Sequence, residues 1–182
     1  MIYWIIGGIL VLVLLIIMGT YNTLVGLRNR VNDQWAQIEV QLKKRFDLIP
    51  NLVETVKGYA QHEKSTLEEV IEARNKFNTA KTPEEEMKAS GELSGVLNRL
   101  MVLSESYPEL KADKNFLSLQ SDLKDVEEKI SYARQFYNDR VLAYMNKIQM
   151  FPSNIIANMF GFKEIKYFEA GEEVKEAPKV AF

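Results

Sequence analysis

Residues 1–18 carry no charged side chain, and their only polar handles are Tyr3 and Trp4. This run constrains the fold more than any other feature of the chain. A helix satisfies its backbone hydrogen bonds internally, and about 20 apolar residues carry it across a bilayer. Extended through Gly19 and Thr20, the run qualifies. A cleaved signal peptide is the competing reading. It calls for a basic leading segment, a shorter apolar core and a small-x-small cleavage site. No Lys or Arg precedes the run, and Met18-Gly19-Thr20-Tyr21-Asn22 offers no such site. The chain has no cysteine, so a lipoprotein anchor is excluded. Residues 1–20 are therefore predicted to remain as a transmembrane anchor. Tyr3 and Trp4 fall at an interfacial aromatic belt, and Gly7-Gly8 is a place for close helix packing. Arg28 and Arg30 follow within about 15 residues of the anchor's end, on the headgroup side, which favours an external N-terminus and a cytoplasmic domain.

Residues 21–182 hold all 23 basic and all 25 acidic side chains, a formal charge of −2. Near-neutrality argues against a nucleic-acid partner, which calls for a basic excess. Without cysteine, disulfide frameworks, thiol catalysis and Cys-based zinc sites are excluded. The apolar pattern is helical. Leu24, Leu27, Val31, Trp35, Ile38, Leu42, Phe46 and Ile49 recur at steps of three and four, directly after the anchor, so anchor and first bundle helix are expected to form one rod with Gly19 or Gly26 as the place for a bend. Pro50 is expected to break it. A second helical region is predicted over 50–80. Ser65-Thr66-Leu67-Glu68 there reads as a capping box, which splits the region near 62–64. Thr82-Pro83-Glu84-Glu85 is a stronger start signal for a third helix, which stops before Tyr107-Pro108. The fourth, over 114–151, bears a stripe from Phe116 to Phe151 that suits a coiled-coil seam or a bundle face. Short connections favour an antiparallel four-helix-bundle-like domain over 21–162, so the predicted fold is all-α.

Longer blocks make the chain recognisable. They include Gln34-Trp35-Ala36-Gln37-Ile38-Glu39, Asp47-Leu48-Ile49-Pro50-Asn51-Leu52-Val53-Glu54, Glu105-Ser106-Tyr107-Pro108-Glu109-Leu110, Ala133-Arg134-Gln135-Phe136-Tyr137-Asn138 and Phe151-Pro152-Ser153-Asn154. Together they closely resemble the LemA family of bacterial membrane proteins, over essentially the whole chain. The resemblance implies a single-pass anchor in a bacterial cell membrane and a helical bundle. It implies no established reaction. As a partner class it suggests a membrane protease or another membrane protein.

Tested residue by residue, the chain offers no catalytic set. His62 is the only histidine. It has no second histidine four residues on, and Tyr59 three residues before it, so zincin and bundle di-iron patterns both fail. No phosphate-binding Gly-rich loop is present. Glu84-Glu85-Glu86 reads as a solvated first turn favoured by the helix dipole, and Glu127-Glu128-Lys129 as solvent-facing. Lys43-Lys44-Arg45 would lie about 37 Å past the anchor on a straight helix, far outside a Debye length of about 8 Å. It is expected to meet acidic surface on another helix or on a partner. Gln34, Gln37, Asp47, Asn51, Glu54, Tyr107, Tyr137 and Asn138 suit caps, turns and inter-helix hydrogen bonds at least as well as a binding surface, and Asp47 and Asn51 suit a turn around Pro50. No cofactor, metal or catalytic residue is expected.

Counting helices up and down brings the end of the fourth back toward the bilayer. The segment that follows, 151–162, is apolar and aromatic, with Ser153 or Asn154 as cap and Gly161 as stop. Phe151, Ile155, Ile156, Met159, Phe160 and Phe162 are therefore membrane-interface candidates alongside Arg28 and Arg30; packing within the bundle is the alternative. The tail over 163–182 is charged and expected to be extended or mobile. The leading expectation is a non-enzymatic anchored scaffold that binds protein partners or assembles as a homo-oligomer. The second is a membrane-interface or lipid-organising module.

Overall fold

The structure, a computed structural model, describes residues 1–60 and 62–169. Every regular element among them is a helix: α1 (Ile2–Tyr59), α2 (Lys64–Thr79), α3 (Pro83–Ser104), α4 (Pro108–Ala112), α5 (Lys114–Gln149) and α6 (Ser153–Met159). The protein is all-α, with a long apolar N-terminal helix and bundle-like packing of long helices. The expected extended or mobile tail lies outside the described residues from 170 on.

The break expected at Pro50 does not occur, because α1 runs through it to Tyr59. Pro50 is exposed, while Phe46, Ile49, Val53, Val56 and Ala60 are all buried. Those positions keep steps of three and four across the proline, so one face stays in register with the core. A proline inside a helix costs about 3 kcal/mol. Each fully buried large apolar side chain returns about 1.5–3 kcal/mol, and the continuous stripe wins. Asp47 and Asn51 accordingly sit on the helix and not in a turn. Asn51 gives its carbonyl to the Thr55 hydroxyl at 2.8 Å.

The described residues divide into two compact units, one from 1–36 with 134–167 and the other from 37–133 with 168–169. In the second unit α1, α2, α3 and α5 enclose one core, in which Ile38, Leu42, Ile49, Leu52, Val70, Leu93, Leu100 and Phe116 are fully or almost fully buried. Cross-helix pairs give the directions. Tyr59 meets Asp113 and Arg45 meets Glu127, so α1 and α5 are antiparallel there. Arg99 pairs with Glu69, and Lys76 with Glu92, so α2 and α3 are antiparallel too.

Helix starts follow local chemistry. Thr82 caps α3 by accepting from Glu85 N at 3.2 Å, and Glu85 reaches back to Lys81 N at 2.7 Å. Asp113, missed in the sequence, caps α5 by accepting from Phe116 N at 2.9 Å. That hydrogen bond, foremost, holds its carboxyl below the usual range. The capping box expected at Ser65 is absent. Helix α2 starts two residues earlier, after Glu63, with no side-chain cap. The Glu63 carboxylate instead accepts from the Tyr107 hydroxyl at 3.1 Å.

In the first unit the inner part of α1 and the end of α5 pack with α6 and the strand-free stretch after it. Leu24, Val31, Trp35, Tyr137, Val141 and Tyr144 form its core. The Trp35 and Tyr137 rings meet edge-on, 5.5 Å between centroids.

Candidate functional site

Helix α6 is short, and its two faces differ. Ser153, Ile156 and Ala157 are buried, whereas Phe151, Ile155 and Met159 are 80%, 52% and 68% exposed. Ile155 and Met159 step by four, so they share one outward face of the helix, and the exposed Phe151 lies just before it. Met150 and Phe160 extend it. Of the six apolar interface candidates, Ile156 and Phe162 thus face inward, at 6% and 8% exposure. The other four are on the outside.

Three devices hold α6 in place. The Ser153 hydroxyl donates to the carbonyls of Lys147 and Met150, at 2.7 and 2.9 Å. It therefore closes the end of α5 and does not cap α6, where Pro152 precedes the first turn. At the other end Gly161 has φ +71°. Phe162 N donates to Ala157 O at 2.9 Å and Gly161 N to Asn158 O at 3.3 Å, the two bonds of a Schellman ending. Gly161 was legible as the stop. Finally, aromatic contacts join α6 to α1. The Tyr21 ring lies 4.8 Å from that of Phe160 and 5.8 Å from that of Phe162. The Arg28 guanidinium stands 5.3 Å over the Phe162 ring. Arg30 is exposed.

A Cβ at Gly161 would meet nothing within 4 Å, so Gly161→Ala costs only its left-handed backbone, about 1 kcal/mol. The expected result is faster hydrogen exchange at the Phe162 amide, with no change in exchange at Leu93 or Leu100.

After α6, residues 163–169 take no regular structure. Tyr144 donates to the carbonyl of Lys163 at 2.8 Å and Tyr137 to that of Lys166 at 3.1 Å. Gln149 reaches Glu164 at 3.4 Å.

At the other extreme of polarity, the second unit buries a charge. The Arg45 side chain is 4% exposed, with Nη1 3.2 Å from Glu127 Oε2 and Nη2 donating to Ser94 Oγ at 2.8 Å. Ser94 in turn donates to Ser90 O at 3.0 Å. Glu127 is therefore not the plain solvent-facing carboxylate expected. The basic triplet does meet acidic surface on another helix, through Arg45; Lys43 and Lys44 are exposed.

The second unit also holds an open cleft of about 260 Å³, lined by residues that include Glu39, Lys43, Asp47, Arg74 and Glu86. The Phe46 and Phe77 rings stack at its wall, 3.7 Å between centroids and 16° apart. Glu86 is half-buried, so it is not part of a wholly solvated first turn. Burial, followed by repulsion from Glu39, raises its carboxyl above the usual range. A carboxyl raised in the folded state imposes its penalty in full above the folded pKa and none below the unfolded value. Glu86→Gln is therefore expected to raise the urea midpoint at pH 7 and to leave it unchanged at pH values below about 4.

His62 is exposed in the turn between α1 and α2. Among the described residues no three His, Cys, Asp or Glu side chains are grouped to hold a metal ion. Tyr3 and Trp4 are 84% and 87% exposed, and no atom approaches within 4 Å of a Cβ built at Gly7 or Gly8. The most apolar 18-residue window of α1 is wholly unburied. A bilayer is the medium in which such surface is stable.

An all-helical protein carrying one exposed, membrane-length apolar helix belongs to the membrane-anchored helical bundle class. More particularly, the chain belongs to the LemA family, whose model matches residues 34–182. It is 25% identical to Protein LemA of Metamycoplasma hominis, over 85% of this chain and 71% of that protein. It is 26% identical to Magnetosome protein MamQ 2 of Paramagnetospirillum magneticum, over 82% of this chain and 64% of that one. Identity with Magnetosome protein MamQ of Magnetospirillum gryphiswaldense is 24%, over 81% and 64%. The chain thus spans about two thirds of the magnetosome relatives' length.

Proposed function

We propose that the protein is a non-enzymatic, single-pass membrane scaffold whose helical surfaces bind a protein partner or further copies of itself. One observation carries this reading: the polar groups best suited to chemistry are engaged in holding helices together. Arg45 pairs with Glu127, Tyr107 with Glu63 and Tyr59 with Asp113, while Tyr137 and Tyr144 hold backbone carbonyls. What the second unit offers to solvent includes Val40, Val102, Leu117 and Tyr132, apolar side chains at 47–74% exposure. Such residues suit contacts with protein. The relatives named as magnetosome proteins support the reading, since those names refer to a structure and not to a reaction. A membrane protease or other membrane protein is the partner class, and the domain lies on the cytoplasmic side.

The test is to isolate the full chain from membranes in mild detergent, measure its mass by light scattering and identify what accompanies it. A discrete oligomer or a stoichiometric protein partner is expected. A monomer that carries only lipid overturns the scaffold reading.

A further inference from the structure

We propose that the outer face of α6, with Ile155 and Met159, together with the exposed Phe151 and Phe160 that flank the helix, is a second membrane contact that lies in the headgroup–acyl boundary beside the anchor. The inference rests on the anchor reading of residues 1–20 and not on the scaffold reading.

Depth is the first argument. At 1.5 Å per residue, residues 2–20 of α1 span about 28 Å, close to the thickness of a hydrocarbon core of about 30 Å. Tyr21 then sits at the core's edge, where tyrosine rings partition. Phe160 lies against it at 4.8 Å. The headgroup layer adds only about 6 Å on each side, so a ring in contact with Tyr21 shares its depth.

Chemistry is the second. No charged side chain occurs from Met150 to Phe162, and both nearest charges along the chain, Lys147 and Lys163, are cations. Arg28 adds a third cation next to Phe162. An apolar face rimmed by cations matches the boundary between acyl chains and anionic headgroups. The first carboxylate beyond the segment, Glu164, is hydrogen-bonded by Gln149.

Rigidity is the third. The buried side of α6 is fixed by Ser153, by the Schellman ending and by the Tyr21 contacts, so its outer face is presented without a folding step. A flexible segment would lose ordering entropy on binding; this one does not.

The chain has no native cysteine, so single cysteines report cleanly. Full-length chains carrying Ile155→Cys, Met159→Cys, Val102→Cys or Ile9→Cys are labelled with an environment-sensitive fluorophore. They are reconstituted, one copy per disc, in lipid nanodiscs of mixed neutral and anionic composition. Nitroxide-labelled lipid is expected to quench positions 155 and 159 at least about twofold more than position 102, with position 9 quenched as well. Quenching at 9 but not at 155 or 159 overturns the α6 contact and leaves the anchor standing. Quenching at none of the three overturns both. Shielding of 155 and 159 from an aqueous quencher without lipid quenching also overturns it, since the occupant is then protein.

Discussion

Arg45→Ala is expected to lower the unfolding free energy of the detergent-solubilised chain by about 3 kcal/mol. The cost has two sources. The aliphatic stem of Arg45 is buried, so truncation leaves a void in the core. The Ser94 hydroxyl also loses its donor from Nη2. Glu127, at 46% exposure, is left facing water and adds little. The reverse truncation is instructive. Glu127→Ala removes the carboxylate facing a guanidinium whose side chain is 4% exposed, and it is expected to cost about 2 kcal/mol, reduced from a fully buried pair because half of Glu127 was already solvated. Arg45→Met keeps the stem volume and removes the charge that needs a partner, so its cost is expected below about 1 kcal/mol. Urea titrations followed by helicity give the order. If Arg45→Met is as damaging as Arg45→Ala, the pair is worth more than its packing and the account fails.

The long apolar N-terminal helix, the α1 and α5 stripes and the α3 start were legible because each rests on a local rule: apolar length, a three–four period, a Thr-Pro-x-Glu cap. What escaped depends on tertiary packing. Pro50 reads as a stop by itself, and only the buried register from Phe46 to Ala60 shows why α1 continues. Ser65 reads as a cap, but the start of α2 is set by the turn through Glu63, whose side chain is taken by Tyr107 in the link between α3 and α4. Within the triplet Lys43-Lys44-Arg45 nothing local marks Arg45 as the buried member. Its position on the stripe between Leu42 and Phe46 was the available signal, and basic character hid it. The same holds for α6: hydropathy selected 151–162 as a block, yet only packing separates Ile156 and Phe162 from the outward Ile155, Met159 and Phe160.

Tyr144 joins the two parts of the first unit that hydropathy treats separately, the α5 stripe and the chain after α6. It is 1% exposed, and its hydroxyl holds the Lys163 carbonyl at 2.8 Å. Burial raises its phenol above the usual range despite nearby Arg28, so it remains a donor at neutral and mildly alkaline pH. Tyr144→Phe removes one hydrogen bond and is expected to cost about 1 kcal/mol. Tyr144→Ala also empties a ring-sized site and is expected to cost about 4 kcal/mol. The two differ in what they release. Loss of the hydroxyl alone releases the Lys163 carbonyl, with Lys166 still held by Tyr137 and α6 still ordered by Gly161 and Ser153, so hydrogen exchange is expected to quicken around residue 163 alone. Loss of the ring also opens the core of the first unit, to which Tyr144 belongs, so protection at the Phe162 amide falls too. Equally lost protection in both variants would mean that the hydroxyl, and not the ring, holds the segment after α6.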